Sequence, residues 1–129
     1  MTEPHDAAEP PREAAAISGY HAHIYYDPAA TRGRAERVRA WIAERVPAAQ
    51  LGRWHDVPIG PHPQAMFQIA FPNEAFPAFV PWLMLNRLGL TVLVHPNTED
   101  ARADHLVHAF WMGEVLPLTA DVLPAGPRG

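Results

Sequence analysis

Residues Tyr20-His21-Ala22-His23-Ile24-Tyr25-Tyr26 decide how this chain is read. Their β-branched and aromatic side chains predict a strand, and Asp27-Pro28 ends it. Side chains alternate along a strand, so His21 and His23 leave one face, roughly 7 Å apart. Ala22, Ile24 and Tyr26 leave the other. Two imidazoles at that spacing can lean onto one metal ion. The strand therefore predicts a sheet with an apolar core on one side and a candidate metal site on the other.

Outward from this strand, the pattern alternates between helix and strand periods. Ala35, Val38, Trp41, Ile42 and Val46 form one stripe, with Arg34, Arg37, Glu44 and Arg45 largely outside it. That predicts a helix, begun at Asp27-Pro28 or Thr31 and stopped by Pro47. Residues 51–57 read as a weaker strand ended by Pro58, and 59–63, with Gly60, Pro61 and Pro63, as an irregular loop around His62. In 66–71, Phe67, Ile69 and Phe71 share one face while Met66, Gln68 and Ala70 share the other. Residues 74–88 predict a second helix ended by Gly89, with Pro77 and Pro81 predicting a late start or a kink. It is apolar almost all round, which predicts a second contact surface and a homodimer. Residues 90–95 read as a fourth strand, 96–104 as a polar loop, and 106–118 as a short helix or strand packed on the domain.

The order β-α-β-β-α-β is the split-βαβ, ferredoxin-like pattern. The expected fold is α+β, an antiparallel sheet of strand order 4-1-3-2 with both helices on one face. Residues 1–16, acidic and rich in Ala and Pro, are expected to be a disordered leader, 17–118 the domain and 119–129 a flexible tail.

Composition narrows the function. The chain has 129 residues, a net charge of -4 and no cysteine. Such a charge leaves no electrostatic footprint for nucleic acid or an anionic membrane. No apolar run reaches the length of a membrane span, and the first 16 residues lack the apolar core of a signal peptide. The cytoplasm is then the expected compartment. Without thiolates, a metal must be held by imidazole, carboxylate or water. No GxSxG, P-loop or GxGxxG motif is present.

Eight histidines are many for this length. Antiparallel pairing of the fourth strand with the first brings His95 beside His21, on the face away from the helices. His21, His23 and His95 are the expected metal ligands. The loop carrying His62 precedes the third strand and should lie near His23 and Tyr25. His105 and His108 share a face only if their segment is helical. Glu99, Asp100 or Asp104 could add a carboxylate, and His55 reads as a surface residue.

These pieces resemble the DOPA 4,5-dioxygenase family of small extradiol-type aromatic ring-cleaving proteins. The resemblance rests on Tyr20-His21-Ala22-His23-Ile24-Tyr25-Tyr26, Gly60-Pro61-His62-Pro63 with Met66-Phe67-Gln68, Leu93-Val94-His95-Pro96-Asn97-Thr98, Asp104-His105, His108-Ala109-Phe110-Trp111-Met112-Gly113 and Leu116-Pro117-Leu118. Glu99 departs from it, standing where the family pattern has glycine. The resemblance implies a catechol substrate such as L-DOPA, O2 as co-substrate and non-haem Fe(II), with zinc able to replace it in the isolated protein. Ring opening beside the hydroxyls would give a muconic semialdehyde that cyclises. Catechol chemistry then needs a group to take and return a proton, and His62 and His108 are the candidates. Tyr25 would hydrogen-bond substrate or oxygen, and Arg53 or Arg102 would hold the substrate carboxylate. The rival expectation is a ferredoxin-like dimeric binding module, paired through its open sheet face, with a structural metal or none.

Overall fold

The computed structural model describes residues 10–126. Its main elements are β1 (Tyr20–Tyr25), α1 (Arg32–Arg45), β2 (Gln50–Leu51), β3 (Met66–Phe71), α2 (Phe76–Asn86), β4 (Val92–Pro96), α3 (Ala101–Leu106) and β5 (Phe110–Met112). The five strands form one antiparallel sheet in the order β2-β3-β1-β4-β5. This is the expected α+β, ferredoxin-like arrangement, with β1 central and one further strand, β5, on the β4 edge.

Alternation within the strands builds the main core. Ala22, Ile24, Phe67, Ile69, Phe71, Val92 and Val94 all face the helices. They meet Ala35, Val38 and Ile42 of α1 and Phe79, Val80 and Leu83 of α2. Each large apolar side chain fully buried here contributes about 1.5–3 kcal/mol. A 3-10 turn over Asn73–Ala75 delays the start of α2. Pro77 then sits in the first helical turn, where its missing N–H costs nothing, and Pro81 forfeits one internal hydrogen bond.

Two expectations are corrected. The strand expected over 51–57 shrinks to Gln50–Leu51 plus a single bridge from His55 to Met66. Gly52 and Pro58 interrupt the ladder, and a side chain at Gly52 would press within 3.2 Å of the Gln68 carbonyl oxygen. The sheet face away from α1 and α2 is not open. Tyr25, Met66 and Leu93 on that face pack with Leu116, flanked by Ala109, Trp111 and Leu118. α3 also lies on this side, carrying His105 against His95. The surface through which a dimeric binding module would pair is thus covered by the chain itself.

Ala14–Ala16 form a 3-10 turn, and Arg12 pairs with Glu99 at 3.2 Å. Ala120–Val122 form another such turn, tied down by Arg102, whose guanidinium donates to the carbonyls of Ala120 and Leu123. Residues 1–9 and 127–129, which complete the expected leader and tail, lie outside the described residues. Among the described residues no helix is long and apolar enough to cross a membrane.

Ile69 is fully buried between the sheet and the helices. Ile69→Ala is expected to cost about 2–5 kcal/mol of stability, read from urea unfolding, while metal binding at the opposite face persists.

Candidate metal centre

Strand register sets the first contacts. β1 and β4 place His21 directly opposite His95, and β1 and β3 place His23 opposite Gln68. Across the strands the Nε2 atoms of His23 and His95 approach to 3.1 Å. His62 arrives from the loop before β3, in a turn closed by its N–H donating to the Ile59 carbonyl at 3.0 Å. That turn needs a positive φ at Gly60 (+57°), a conformation glycine adopts without strain. The His62 ring lies 4.2 Å from that of His23, and its Nδ1 is 2.7 Å from the Tyr25 hydroxyl. His105 comes from α3, whose N-cap Asp100 accepts from the Ala103 N–H at 3.0 Å. Its ring stands 3.9 Å from that of His95.

Five histidines therefore converge. The candidate ligand nitrogens of His21, His23 and His95 lie within 4.8 Å of one another, and so do those of His23, His62 and His105. His23 and His95 are almost fully buried and His62 nearly so. His21 is half-exposed and marks the side on which solvent reaches the cluster.

The tautomers of two rings follow from their partners. His95 Nδ1 is 2.9 Å from the Pro96 carbonyl oxygen, and His105 Nδ1 is 2.8 Å from that of Ala101. A carbonyl only accepts, so each Nδ1 carries the proton and each neutral ring has its lone pair on Nε2. Burial lowers the pKa of His95 to about 3 and that of His62 to about 4, with neighbouring imidazoles adding to the effect. His23 is pushed down strongly by burial and then by His62 and His95. At neutral pH these three rings are uncharged, the state that binds metals. Burial raises the Tyr25 hydroxyl well above its ordinary range, so it stays protonated.

The arrangement fits a cation. Two nitrogens each about 2.1 Å from one ion, at right angles, stand about 3.0 Å apart. The His23–His95 contact has that spacing. His23 Nδ1 is, among the described residues, a buried polar atom with no hydrogen-bond partner, a loss worth about 1–3 kcal/mol. A cluster of buried, neutral imidazoles with two Nε2 atoms at this spacing is suited to a metal. Imidazole donors suit zinc, copper, iron and nickel alike.

The structure does not bring all the expected residues together. His108 follows the end of α3 and is exposed, lining a cavity of about 450 Å³ with Tyr20, Phe76, Val94 and Phe110. Those neighbours belong to the helix side of the sheet, so His108 lies across the sheet from the cluster. Among the described residues, no carboxylate joins either histidine group. Glu99 pairs with Arg12, Asp100 caps α3, and Asp104 accepts from Thr98. Arg102 is engaged by the C-terminal carbonyls, and Arg53 is exposed beyond β2. His105 is the residue the sequence left unassigned. Its signal was the Asp100 cap, which starts a helix just long enough to turn His105 inward but ends before His108.

A model of the Dopa 4,5-dioxygenase family matches residues 20–122. The chain is 33% identical over 115 residues to the DOPA 4,5-dioxygenase of Amanita muscaria, covering 84% of this chain and 50% of that protein. It is 44% identical over 90 residues to an uncharacterised 21.2 kDa protein of Botryotinia fuckeliana, covering 64% and 49%. The chain spans about half the length of these curated relatives. A candidate dioxygenase from Nostoc punctiforme has a similar solved structure, with a TM-score of 0.84 and 49% identity over 87% of this chain and 96% of that one.

The neutral histidines predict a pH dependence. Below about pH 6.5 the unfolded chain takes up protons that His62 and His95 refuse until about pH 4 and about pH 3. Stability of the metal-free protein should therefore fall as pH drops from about 6.5 to 4, by at most about 1.4 kcal/mol per pH unit for each histidine. Denaturant melts of chelator-treated protein across that range check the slope, and a flat profile would contradict the buried neutral rings.

Proposed function

The chain belongs to the Dopa 4,5-dioxygenase family, and on that premise we propose that it cleaves the ring of a catechol such as L-DOPA with O2 as co-substrate. The observation that carries this reading is the 3.1 Å approach of two imidazole Nε2 atoms inside a buried group of neutral histidines. His21, His23 and His95 would hold the ion, and His105, whose ring lies 3.9 Å from that of His95, would offer a further donor. Fe(II) bound there would bring catechol and O2 together and let electrons pass from the ring to oxygen.

The protein's own groups would manage protons and water. His62 and Tyr25 form the proton-handling pair. A hydroxyl both donates and accepts, so Tyr25 keeps its 2.7 Å bond to His62 Nδ1 in either tautomer of that ring. His62 can then take a catechol proton at Nε2 and return it without losing its anchor. A bound catecholate's negative charge would oppose the lowering that burial imposes on His62, moving it toward the working range of a general base. Leu93, Met66, Trp111 and Leu116 keep water from the Tyr25 side of the site. An all-imidazole donor set carries no negative charge of its own, so the ion would keep its full attraction for the anionic catecholate.

Anaerobic protein given Fe(II) and L-DOPA and then exposed to air should yield a yellow product. His21→Ala and His95→Ala should lose metal and product together. His62→Ala should keep its metal and slow by about 10²–10⁴-fold. His108→Ala, on the far side of the sheet, should remain within twofold. Full iron content and turnover in both His21→Ala and His95→Ala would overturn the ligand assignment. A metal-loaded protein inert toward several catechols would overturn the activity.

A further inference from the structure

Asp104 is completely buried, yet it belongs to neither histidine group. Both of its carboxylate oxygens accept from one residue. The Thr98 backbone N–H donates to Oδ2 at 2.8 Å, and the Thr98 hydroxyl donates to Oδ1 at 2.5 Å. The same hydroxyl oxygen accepts from the Asp100 N–H at 3.2 Å, and the Asp104 N–H donates to the Asp100 carbonyl at 2.9 Å. Thr98 lies three residues after His95, and Asp104 immediately precedes His105. The contact therefore closes the connection between two imidazoles that arrive from different elements, β4 and α3.

We propose that the Thr98–Asp104 clasp is a positioning device for the metal centre. It sets the 3.9 Å separation of the His95 and His105 rings and thereby how tightly an ion is held, an inference that rests on the metal-centre reading above. The geometry supports this in two ways. α3 spans only Ala101–Leu106, too short to hold its orientation by its own hydrogen bonds, so its approach to β4 depends on contacts such as this one. A carboxylate buried beside the site, with both oxygens accepting from Thr98, is also an effective way to fix a loop. Partners that orient ligands in this manner typically alter metal affinity by 10–100-fold when lost.

The test is Co(II) binding to the full chain, measured by chelator competition and by the visible absorption of the bound ion. Thr98→Val keeps the shape of the residue and removes the hydroxyl. It should weaken Co(II) binding by about 10–100-fold and alter the absorption bands, while Thr98→Ser restores both. Asp104→Asn, which turns one acceptor into a donor facing Thr98, should weaken binding comparably and serves if Thr98→Val does not fold. Wild-type affinity in Thr98→Val or Asp104→Asn overturns the clasp alone. Weak binding in Thr98→Val that serine fails to restore overturns the role of the hydroxyl. A wild-type chain that takes up no Co(II) overturns the metal centre itself, and this inference with it.

Discussion

The constraint on which the structure depends is that its central strand is buried on both faces with different chemistry. Ala22 and Ile24 of β1 seal the core beneath the helices, while His23 and Tyr25 are sealed beneath α3 and residues 109–118. An imidazole exposed on an open sheet face would exchange protons freely with water. The same imidazole under a lid is neutral and oriented, and must find partners inside the protein. Burial is what turns a histidine-bearing strand into a site.

The site's electrostatics follow from that burial. Desolvation lowers the pKa of each of His23, His62 and His95, and nearby imidazoles lower it further. Charge is excluded, so lone pairs remain. Backbone carbonyls at Pro96 and Ala101 then decide which nitrogen keeps them on His95 and His105. A main-chain oxygen is a cheap way to orient a ligand, because it is already present where the strand or helix places it. Tyr25 and His62 meet side chain to side chain, and the hydroxyl can donate to or accept from Nδ1 as the ring's protonation changes.

The cavity of about 450 Å³ on the helix side shows why volume alone is a poor guide to chemistry. Its lining is largely apolar, with Arg12, Glu13 and Thr98 at its edge, but it lies across the sheet from the histidine cluster. The cluster itself is tightly packed and half-open at His21 and His105. Fold, family and histidine geometry converge on this cluster, and the cavity's one histidine, His108, makes no contact with it.

Much was legible in the chain by itself. The period-two alternation of β1, β3 and β4 specified which residues face the helices, because a register slip of one would expose the whole apolar set. Pairing rules for the split-βαβ order then placed His95 beside His21 and the His62 loop beside Tyr25. These are short-range patterns joined by a small number of allowed topologies. What only the tertiary structure decided lies after residue 96. Whether His105 or His108 turns inward depends on where a six-residue helix lies, and its start at the Asp100 cap and its end at Val107 are fixed by local hydrogen bonds rather than by periodicity. The same segment closes the sheet face that local patterning left open, since the burial of a strand's second face is determined by whatever distant part of the chain comes to rest on it.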